Sequence, residues 1–392
     1  MRILILINTF FPHIGGAETA VHNMAEGLVA IGHEVIVGCT TQNTIKAEEY
    51  QHSYKIVRYH LPRGSSRLKL DDWFLALAAA STVCRWQPDF ILANFVWPVG
   101  FAAMQIRRVF RTPVIVISHL VDIDTIPTMK YGFRLNSSLR NRIDWTVKHA
   151  DGLIAISTRT KEIYLKLGAP AECIASIPNG INFELLKSPI IEARQLLGIS
   201  PQKKVILSVG RNVPFKGYEN LIQMIPTVVD KVKDVLFVLV GENMSLLSEL
   251  VIQNNISKYV ILCEKVLPAG ISLIGKPTSP TQTISTYYKA ANLLAMPSIT
   301  EGLPMVGIEA MASGLPIVAH QIPGASDLIR DNVNGRLVPL GDNAAFTQAL
   351  IDLLQEDSVR LELGKQASED VRRFDQIQVA NQVIAFAQKV IK

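Results

Sequence analysis

Three stretches of this sequence place glycines or charged side chains where short apolar runs end, and each suits an anion or a sugar. The first is Asn8-Thr-Phe-Phe-Pro-His-Ile-Gly-Gly-Ala-Glu18, between an apolar run and a helical pattern. Gly15 and Gly16 would let the backbone approach a ligand closely. A helix N-terminus behind them would offer unpaired N–H groups and the positive end of the helix dipole, which suits a phosphate. A plain tight turn fits the same residues. This is not the dinucleotide fingerprint: Gly-x-Gly-x-x-Gly is absent, and the next strand pattern ends in Val37-Gly-Cys-Thr40, with no acid for a ribose.

The second stretch is Val205-Ile-Leu-Ser-Val-Gly-Arg-Asn-Val-Pro-Phe-Lys-Gly217, which puts Arg211 and Lys216 in one short loop. A guanidinium fork and a mobile ammonium together suit a diphosphate. Two solvated loop cations are the alternative. The third runs from Met296 to Pro316, with Glu301 in a turn and Glu309 in the helix that follows, seven residues between them. The N–H groups of Gly302 and Leu303 are expected at that helix start. Glu309 stands among Ile308, Met311 and Ala312, and a carboxylate buried without a partner is expensive. A ribose diol would satisfy it through two hydrogen bonds; the alternative is an acid held by the helix dipole alone.

These loops need rigid elements behind them. Ile3–Ile7, Glu34–Val37, Lys55–Tyr59, Phe90–Ala93, Val114–Ser118 and Leu153–Ile156 read as buried strands, and the second half repeats the pattern at Val205–Val209, Val235–Val240, Val260–Leu262, Leu293–Met296 and Ile317–Ala319. Ala17, Val21, Met24, Leu28 and Ile31 recur at helical spacing, with Gly32 where a left-handed cap belongs. Alternating strands and helices predict an α/β protein with parallel sheets covered on both faces. The turn signals in Ser176-Ile-Pro-Asn-Gly-Ile-Asn182 place a junction there. The expected division is 1–178, a Rossmann-like domain; 179–374, a second such domain; and 375–392, a helix. Two doubly wound domains would turn their strand C-termini toward a shared cleft.

Composition narrows the class. With 392 residues, 48% hydrophobic and 19% charged, the chain is neither disordered nor too short to build its own cores. Four cysteines, none at Cys-x-x-Cys spacing, point to reduced thiols in the cytoplasm rather than zinc or disulfides. The net charge of +5 resides wholly in residues 1–180, which suggests an anionic surface or substrate for that half rather than nucleic acid. Lys130, Arg134, Arg140, Arg142 and Lys148 interleave with Tyr131, Phe133 and Trp145, and a second run, Lys55, Arg58, Arg63, Arg67 and Lys69, precedes Trp73-Phe74-Leu75. Arg140 and Trp145 lie off the apolar stripe of Leu139, Ile143 and Val147 and are expected to face outward, as on a protein drawn to an anionic membrane. A solvated basic face is the alternative. No apolar run is long enough to span a bilayer.

The Gly-Gly-Ala-Glu loop, Gly32-His-Glu-Val35, Gln87-Pro-Asp89, Pro178-Asn-Gly180, Gly210-Arg211 with Lys216-Gly217, and the Glu-x7-Glu stretch occur in this order. Together they resemble the family-4 retaining glycosyltransferases (glycosyl transferases group 1) of the GT-B fold, from Arg2 to about Pro339. The resemblance implies that Arg211 and Lys216 hold the diphosphate of a nucleotide sugar and that Glu309 holds its ribose. It implies that Glu301, with the amides of Gly302 and Leu303, holds the sugar hydroxyls or phosphate side, and that Gly16 approaches the diphosphate from the other domain. His119 corresponds best to the family's cleft histidine, and the last helix should cross back to the N-terminal domain. The acceptor would be a glycan or a lipid-linked molecule, on a protein that is cytoplasmic or peripheral at the inner membrane face.

Three features depart from the pattern: Pro323-Gly-Ala-Ser-Asp327 replaces Gly-Gly-x-x-Glu, Val240-Gly-Glu-Asn-Met244 has a single glycine, and Gly275–Thr281 is rich in Pro and Thr. Asp122-Ile-Asp124 spells the Asp-x-Asp of metal-dependent transferases of another fold. Arg211 and Lys216 already supply positive charge, so Asp122 and Asp124 read as turn or capping residues, and no metal or other cofactor is expected. The expected function is transfer of a sugar from a nucleotide diphosphate to an acceptor hydroxyl. A sugar-nucleotide epimerase on the same frame and a non-catalytic nucleotide-sugar-binding subunit are the rivals.

Overall fold

The computed structural model describes residues 1–40, 52–62, 70–182, 186, 190–264, 266–267 and 283–392. Arg63, Arg67 and Lys69 of the second basic run, and the Pro/Thr-rich Gly275–Thr281, lie outside them. The chain forms two compact units, Met1–Ile181 with Phe374–Lys392, and Asn182–Arg373.

The first unit contains β1 (Arg2–Leu6), α1 (Gly16–Ala30), β2 (Glu34–Thr40), β3 (Lys55–Tyr59), α2 (Asp71–Trp86), β4 (Phe90–Asn94), α3 (Phe101–Phe110), β5 (Val114–Ile117), α4 (Ser137–His149), β6 (Gly152–Ala155), α5 (Thr158–Lys166) and β7 (Ile174–Ser176). The second contains α6 (Ile190–Leu196), β8 (Lys204–Val209), α7 (Tyr218–Lys231), β9 (Val235–Val240), α8 (Ser248–Gln253), β10 (Val260–Cys263), α9 (Ile284–Ala290), β11 (Leu293–Met296), α10 (Met305–Ala312), β12 (Ile317–His320), α11 (Pro323–Ser326), β13 (Gly335–Val338), α12 (Asn343–Gln355) and α13 (Asp357–Asp370). The last helix, α14 (Gln376–Ile391), belongs to the first unit.

Both sheets are parallel throughout. The order is β3-β2-β1-β4-β5-β6-β7 in the first and β10-β9-β8-β11-β12-β13 in the second. Strand order reverses between β1 and β4, and again between β8 and β11. Ligands in open α/β sheets bind beyond the strand C-termini at such reversals. The loop holding Gly15 and Gly16 leaves β1, the loop with Arg211 and Lys216 leaves β8, and the turn with Glu301 leaves β11, so the topology sets these residues at the two reversals.

Strands β1 and β4 are buried along almost their whole length, which is why they read as unbroken apolar runs. The sequence reading missed the edge strands β7 and β13, which are only three and four residues long; β7 has no buried position, and β13 is half-exposed at its two central ones. Gln87-Pro-Asp89 feeds β4 into register: the Asp89 carboxylate accepts from the Arg2 amide at 2.7 Å and the Asp89 amide donates back to Arg2 at 2.8 Å. Gly32, at φ +87°, closes α1 with bonds from its own N–H to Val29 and from His33 to Leu28.

The unit boundaries fall slightly away from the expected 178/179 and 374/375, and hydrogen bonds explain the shift. The Ile181 amide donates to the Phe374 carbonyl at 2.8 Å and its carbonyl accepts from Gln376 at 3.0 Å, so Ile181 and Phe374 are stitched into the same unit. Asn23 of α1 also donates to the Gly180 carbonyl at 3.1 Å. Helix α14 lies against α1, where a Cβ on Gly27 would stand 2.6 Å from the Gln376 carbonyl oxygen and 3.3 Å from the Ala380 methyl. A glycine inside a helix weakens it by up to about 1 kcal/mol relative to alanine, and here that loss permits close docking. We therefore predict that Gly27→Val forces the two helices apart and destabilises the protein by about 1–3 kcal/mol. Urea denaturation followed by circular dichroism checks this; an unchanged midpoint means that the α1–α14 contact contributes nothing.

Candidate functional site

In the second unit the site is built around the Pro297–Gly302 turn that leaves β11. The loop after β8 passes through a short 3-10 turn, Pro214–Lys216, and then Gly217 at φ +71°. Gly217 sits so close to the Pro297 carbonyl that no Cβ would fit, and the Ile299 amide donates to the Phe215 carbonyl at 2.8 Å. From the other side, a Cβ on Gly324 would come within 2.5 Å of the Glu301 carbonyl and 2.6 Å of the Gly302 carbonyl. Gly324 belongs to Pro323-Gly-Ala-Ser-Asp327, the stretch that departs from the family pattern; what it supplies here is close backbone approach. His320 Nδ1 donates to the Ser298 carbonyl at 3.3 Å, and burial lowers its pKa, so the ring is neutral.

This frame brings Lys216 and Glu301 together. Their Nζ and Oε1 atoms are 2.6 Å apart, with side chains only 18% and 10% exposed. Arg211, in the same loop, is exposed and makes no ion pair among the described residues. Helix α10 begins at Met305 after Pro304, so Gly302 and Leu303 occupy the turn ahead of the helix. This corrects the expectation that their amides stand at the helix start; the first-turn amides belong to Met305 and Val306, because Pro304 interrupts the chain there.

Glu309 is buried, at 8% exposure, and its partner is Tyr288, whose hydroxyl donates to Oε2 at 2.7 Å. Burial pushes the Glu309 pKa up to about 7, and the Tyr288 bond pulls against that rise. The neighbouring Tyr218 hydroxyl donates to the Gly210 carbonyl at 3.2 Å.

In the first unit, Gly15 caps α1 in extended conformation and Gly16 opens the helix. The helix start already faces a carboxylate of the chain itself: buried Glu18 accepts from Thr9 Oγ1 at 2.6 Å, and its Oε2 would lie 2.5 Å from a Cβ on Gly15. His119 follows β5 and meets Asn94 at the end of β4, with Nε2 3.1 Å from Asn94 Oδ1. An amide oxygen only accepts, so Nε2 carries the proton and Nδ1 keeps its lone pair. Burial lowers the His119 pKa to about 4, so the ring is a neutral hydrogen-bonding group.

The two aspartates nearby serve the loops. Buried Asp122 accepts from Ser118 Oγ at 2.6 Å and from the Val96 amide at 2.5 Å, bracing the β5 loop against the β4 loop; burial raises its pKa to about 6. Asp124 makes a two-pronged pair with Arg159 at 3.1 and 3.2 Å. The structure thus gathers Lys216 and Glu301 into one contact, keeps Glu309 on Tyr288, and puts Gly15, Gly16 and His119 in the other unit.

The two parallel sheets with flanking helices define the GT-B class of two Rossmann-like domains. A family model described as "Glycosyltransferase Family 4" matches residues 14–185, and one described as "Glycosyl transferases group 1" matches 190–370. The chain belongs to the family-4/group 1 GT-B glycosyltransferases. It is 28% identical, over 98% of its length and 96% of the relative's, to a phosphatidyl-myo-inositol mannosyltransferase of Mycobacterium leprae. It is 25% identical to an alpha-monoglucosyldiacylglycerol synthase of Streptococcus pneumoniae over 86% of this chain and 75% of that one. Among solved structures, a sucrose-phosphate synthase from Thermosynechococcus elongatus superposes with a TM-score of 0.82 at 21% identity, covering 99% of this chain and 98% of that one. Anabaena HepE in complex with UDP-glucose gives 0.79 at 22% identity, covering 99% and 100%.

Sequence reasoning did not find Asn94, Tyr288 or Gly324. Asn94 closes a strand otherwise made of apolar residues, Phe90-Ile-Leu-Ala93, and a polar residue there is a usable signal. Tyr288 had none, because its contact with Glu309 spans 21 residues and exists only in the fold. The raised pKa of Glu309 gives a prediction. Between the ordinary glutamate value and about 7 the native state holds more protons than the unfolded chain, so stability falls as pH rises through that window. Glu309→Gln removes this dependence, and above pH 7 the variant should be more stable than the parent by on the order of 1–3 kcal/mol. Thermal melts at pH 5 and pH 8 test it; equal pH slopes in both proteins would show that Glu309 is ionised throughout.

Proposed function

We propose that this glycosyltransferase moves a sugar, with retention of configuration, from a nucleoside diphosphate to an acceptor hydroxyl in glycolipid or polysaccharide synthesis. The observation that carries the reading is the part-buried Lys216–Glu301 pair, with exposed Arg211 in the same loop as Lys216, at the C-terminal ends of the two strands where the second sheet reverses. The UDP-glucose bound to HepE supports a nucleotide-sugar donor. The two relatives named for a phosphatidylinositol and a diacylglycerol product support a lipid acceptor.

The difficult step is departure of the diphosphate while positive charge grows on the sugar ring. Arg211 and Lys216 would hold the leaving group, and Glu301 would fix the direction of the Lys216 ammonium and meet the sugar hydroxyls. Glu309, oriented by Tyr288, would take the ribose. Gly15 and Gly16 would give the backbone access to the phosphates, with the amides of Gly302 and Leu303 near the sugar. His119, neutral and with Nδ1 as acceptor, would receive a hydroxyl proton in a hydrogen bond. One preorganised donor on a leaving anion contributes on the order of 3 kcal/mol to the barrier. No side chain in these loops is arranged as a covalent nucleophile with its own base, which favours front-face attack assisted by the leaving phosphate.

Thermal shifts with UDP-, GDP- and ADP-sugars identify the donor, because a ligand at about a hundred times its Kd adds about 2.7 kcal/mol. The product is then free nucleoside diphosphate plus glycosylated acceptor. Lys216→Ala should lower kcat by about 100-fold or more, with the melting curve still cooperative. Near-normal kcat in the Arg211→Ala/Lys216→Ala double variant removes the diphosphate assignment. Turnover should be unchanged without Mg2+ or Mn2+; a tenfold rise on adding either returns Asp122 and Asp124 to the reaction.

The membrane proposal takes a revised surface. Arg134 is paired with Asp144, and Arg142 with buried Asp72, which also accepts from Trp97 Nε1 at 2.9 Å. Trp145 does not project outward as its helical position suggested: it packs against the core, stacks on His149 and carries Arg108 4.6 Å above its ring. The outward apolar groups are Trp73, at 43% exposure, with Leu77, Val109 and Phe110, and the exposed cations are Arg108, Arg111, Lys130, Arg140 and Lys148. Among the described residues no helix is long and apolar enough to cross a membrane. We expect co-sedimentation with anionic but not neutral liposomes, lost at high salt, at about 1 kcal/mol per cation near the surface. Protein that stays in the supernatant with anionic liposomes at low salt overturns this part alone.

A further inference from the structure

A cluster of a different kind lies in the first unit, on the face of α1 that meets the segment leading into β3. His22 and Glu26 stand one helical turn apart on α1, and His52 comes from that segment. One ligating atom from each lies within 4.8 Å of the others. We propose that His22, Glu26 and His52 bind a single divalent transition-metal ion of the zinc class, which pins the segment before β3 to helix α1.

The atoms around the trio are those that metal ligands use for orientation. His22 Nδ1 is 2.8 Å from the Tyr54 hydroxyl, which leaves Nε2 to face the ion. The Glu26 carboxylate accepts from the Ser53 amide at 3.1 Å and from the Ser53 hydroxyl at 2.7 Å. A ligating imidazole ordinarily bonds through its second nitrogen to a fixed partner, and ligating carboxylates are likewise held. The site is walled by aromatic rings: Tyr54 stacks on His52 with centroids 4.8 Å apart, and Phe11 stacks on His52 at 6.0 Å and meets His22 edge-on at 5.6 Å.

The donor set selects the ion. Two imidazole nitrogens and one carboxylate suit zinc, cobalt, nickel or copper, whereas magnesium and calcium take oxygen ligands. Zinc holds such ligands at about 2.0–2.2 Å, so donor atoms that lie within 4.8 Å of one another would draw together around it. Phe10 and Phe11, whose rings pack on His52, belong to the loop that ends at Gly15 and Gly16, so the ion would also steady that loop. None of the donor residues proposed above belongs to the trio, so this inference stands or falls independently of glycosyl transfer.

The test uses the whole protein, stripped with a chelator, dialysed, and titrated with Zn2+ and Co2+, with Mg2+ as the control. We expect one equivalent of Zn2+ with a sub-micromolar Kd, a melting temperature raised by several degrees, and no response to Mg2+. His22→Ala and His52→Ala should each weaken Zn2+ binding by at least a hundredfold, and Tyr54→Phe by about tenfold. Zn2+ affinity within twofold of the parent in both histidine variants, or no binding at 100 µM, overturns the proposal. Because a variant could fail to fold, the Co2+ spectrum of the parent provides a separate measure. Ligand-field bands without a thiolate charge-transfer band support the trio, and a strong thiolate band places the metal on a cysteine and overturns it.

Discussion

The second unit depends on backbone touching backbone around one turn. Pro297–Gly302 is pressed by Gly217 on one side and Gly324 on the other, and the Ile299–Phe215 hydrogen bond locks it to the loop after β8. Any side chain at either glycine would push two main chains apart, and main chains do not yield as a flexible side chain does. The clamp holds Glu301 where Lys216 can reach it at 2.6 Å. A pair so largely removed from water is strong only if its geometry holds. The glycines that look like loop residues in the sequence are therefore the support of the charged pair, because they let three connections from different strands share one small space.

The buried ionisable groups show a common solution to desolvation. Glu309, His119 and Asp122 are each withdrawn from water, and burial moves each pKa toward the neutral form. Each is given a specific partner: Tyr288, Asn94, and Ser118 with the Val96 amide. Partners of this kind offset part of the desolvation cost and fix the direction of the group. A neutral histidine that is already donating through one nitrogen offers a ligand one acceptor with a defined orientation, which a freely rotating surface histidine does not.

The first unit spends its charges differently. Asp72, fully buried, gathers Arg142 and the Trp97 indole, and so joins α2, α4 and the loop after β4. Two of the five cations that the sequence groups together, Arg142 on Asp72 and Arg134 on Asp144, are drawn into structural pairs. The remaining three, Lys130, Arg140 and Lys148, stay exposed at the surface. Helix α14 completes this unit from the far end of the chain, through Gly27 and the two bonds at Ile181.

Much of this protein was legible in its residues alone. Unbroken apolar runs ending in glycine or charge gave the parallel strands and the loops after them, because a strand covered on both faces leaves no room for polar side chains. The same runs located Gly15, Gly16, Arg211, Lys216 and Glu301 at strand ends or helix starts, and Glu309 inside the helix that follows, since period and punctuation are local properties. What only the fold decided is pairwise and distant. Lys216 finds Glu301 across 85 residues, Glu309 finds Tyr288 across 21, and Arg142 finds Asp72 across 70. Trp145 turns inward because Arg108 of α3 and His149 cover its ring, which helical phase by itself does not specify. Local sequence sets which way a chain can bend and what it must bury; which charge meets which is set by the order of strands in the sheet.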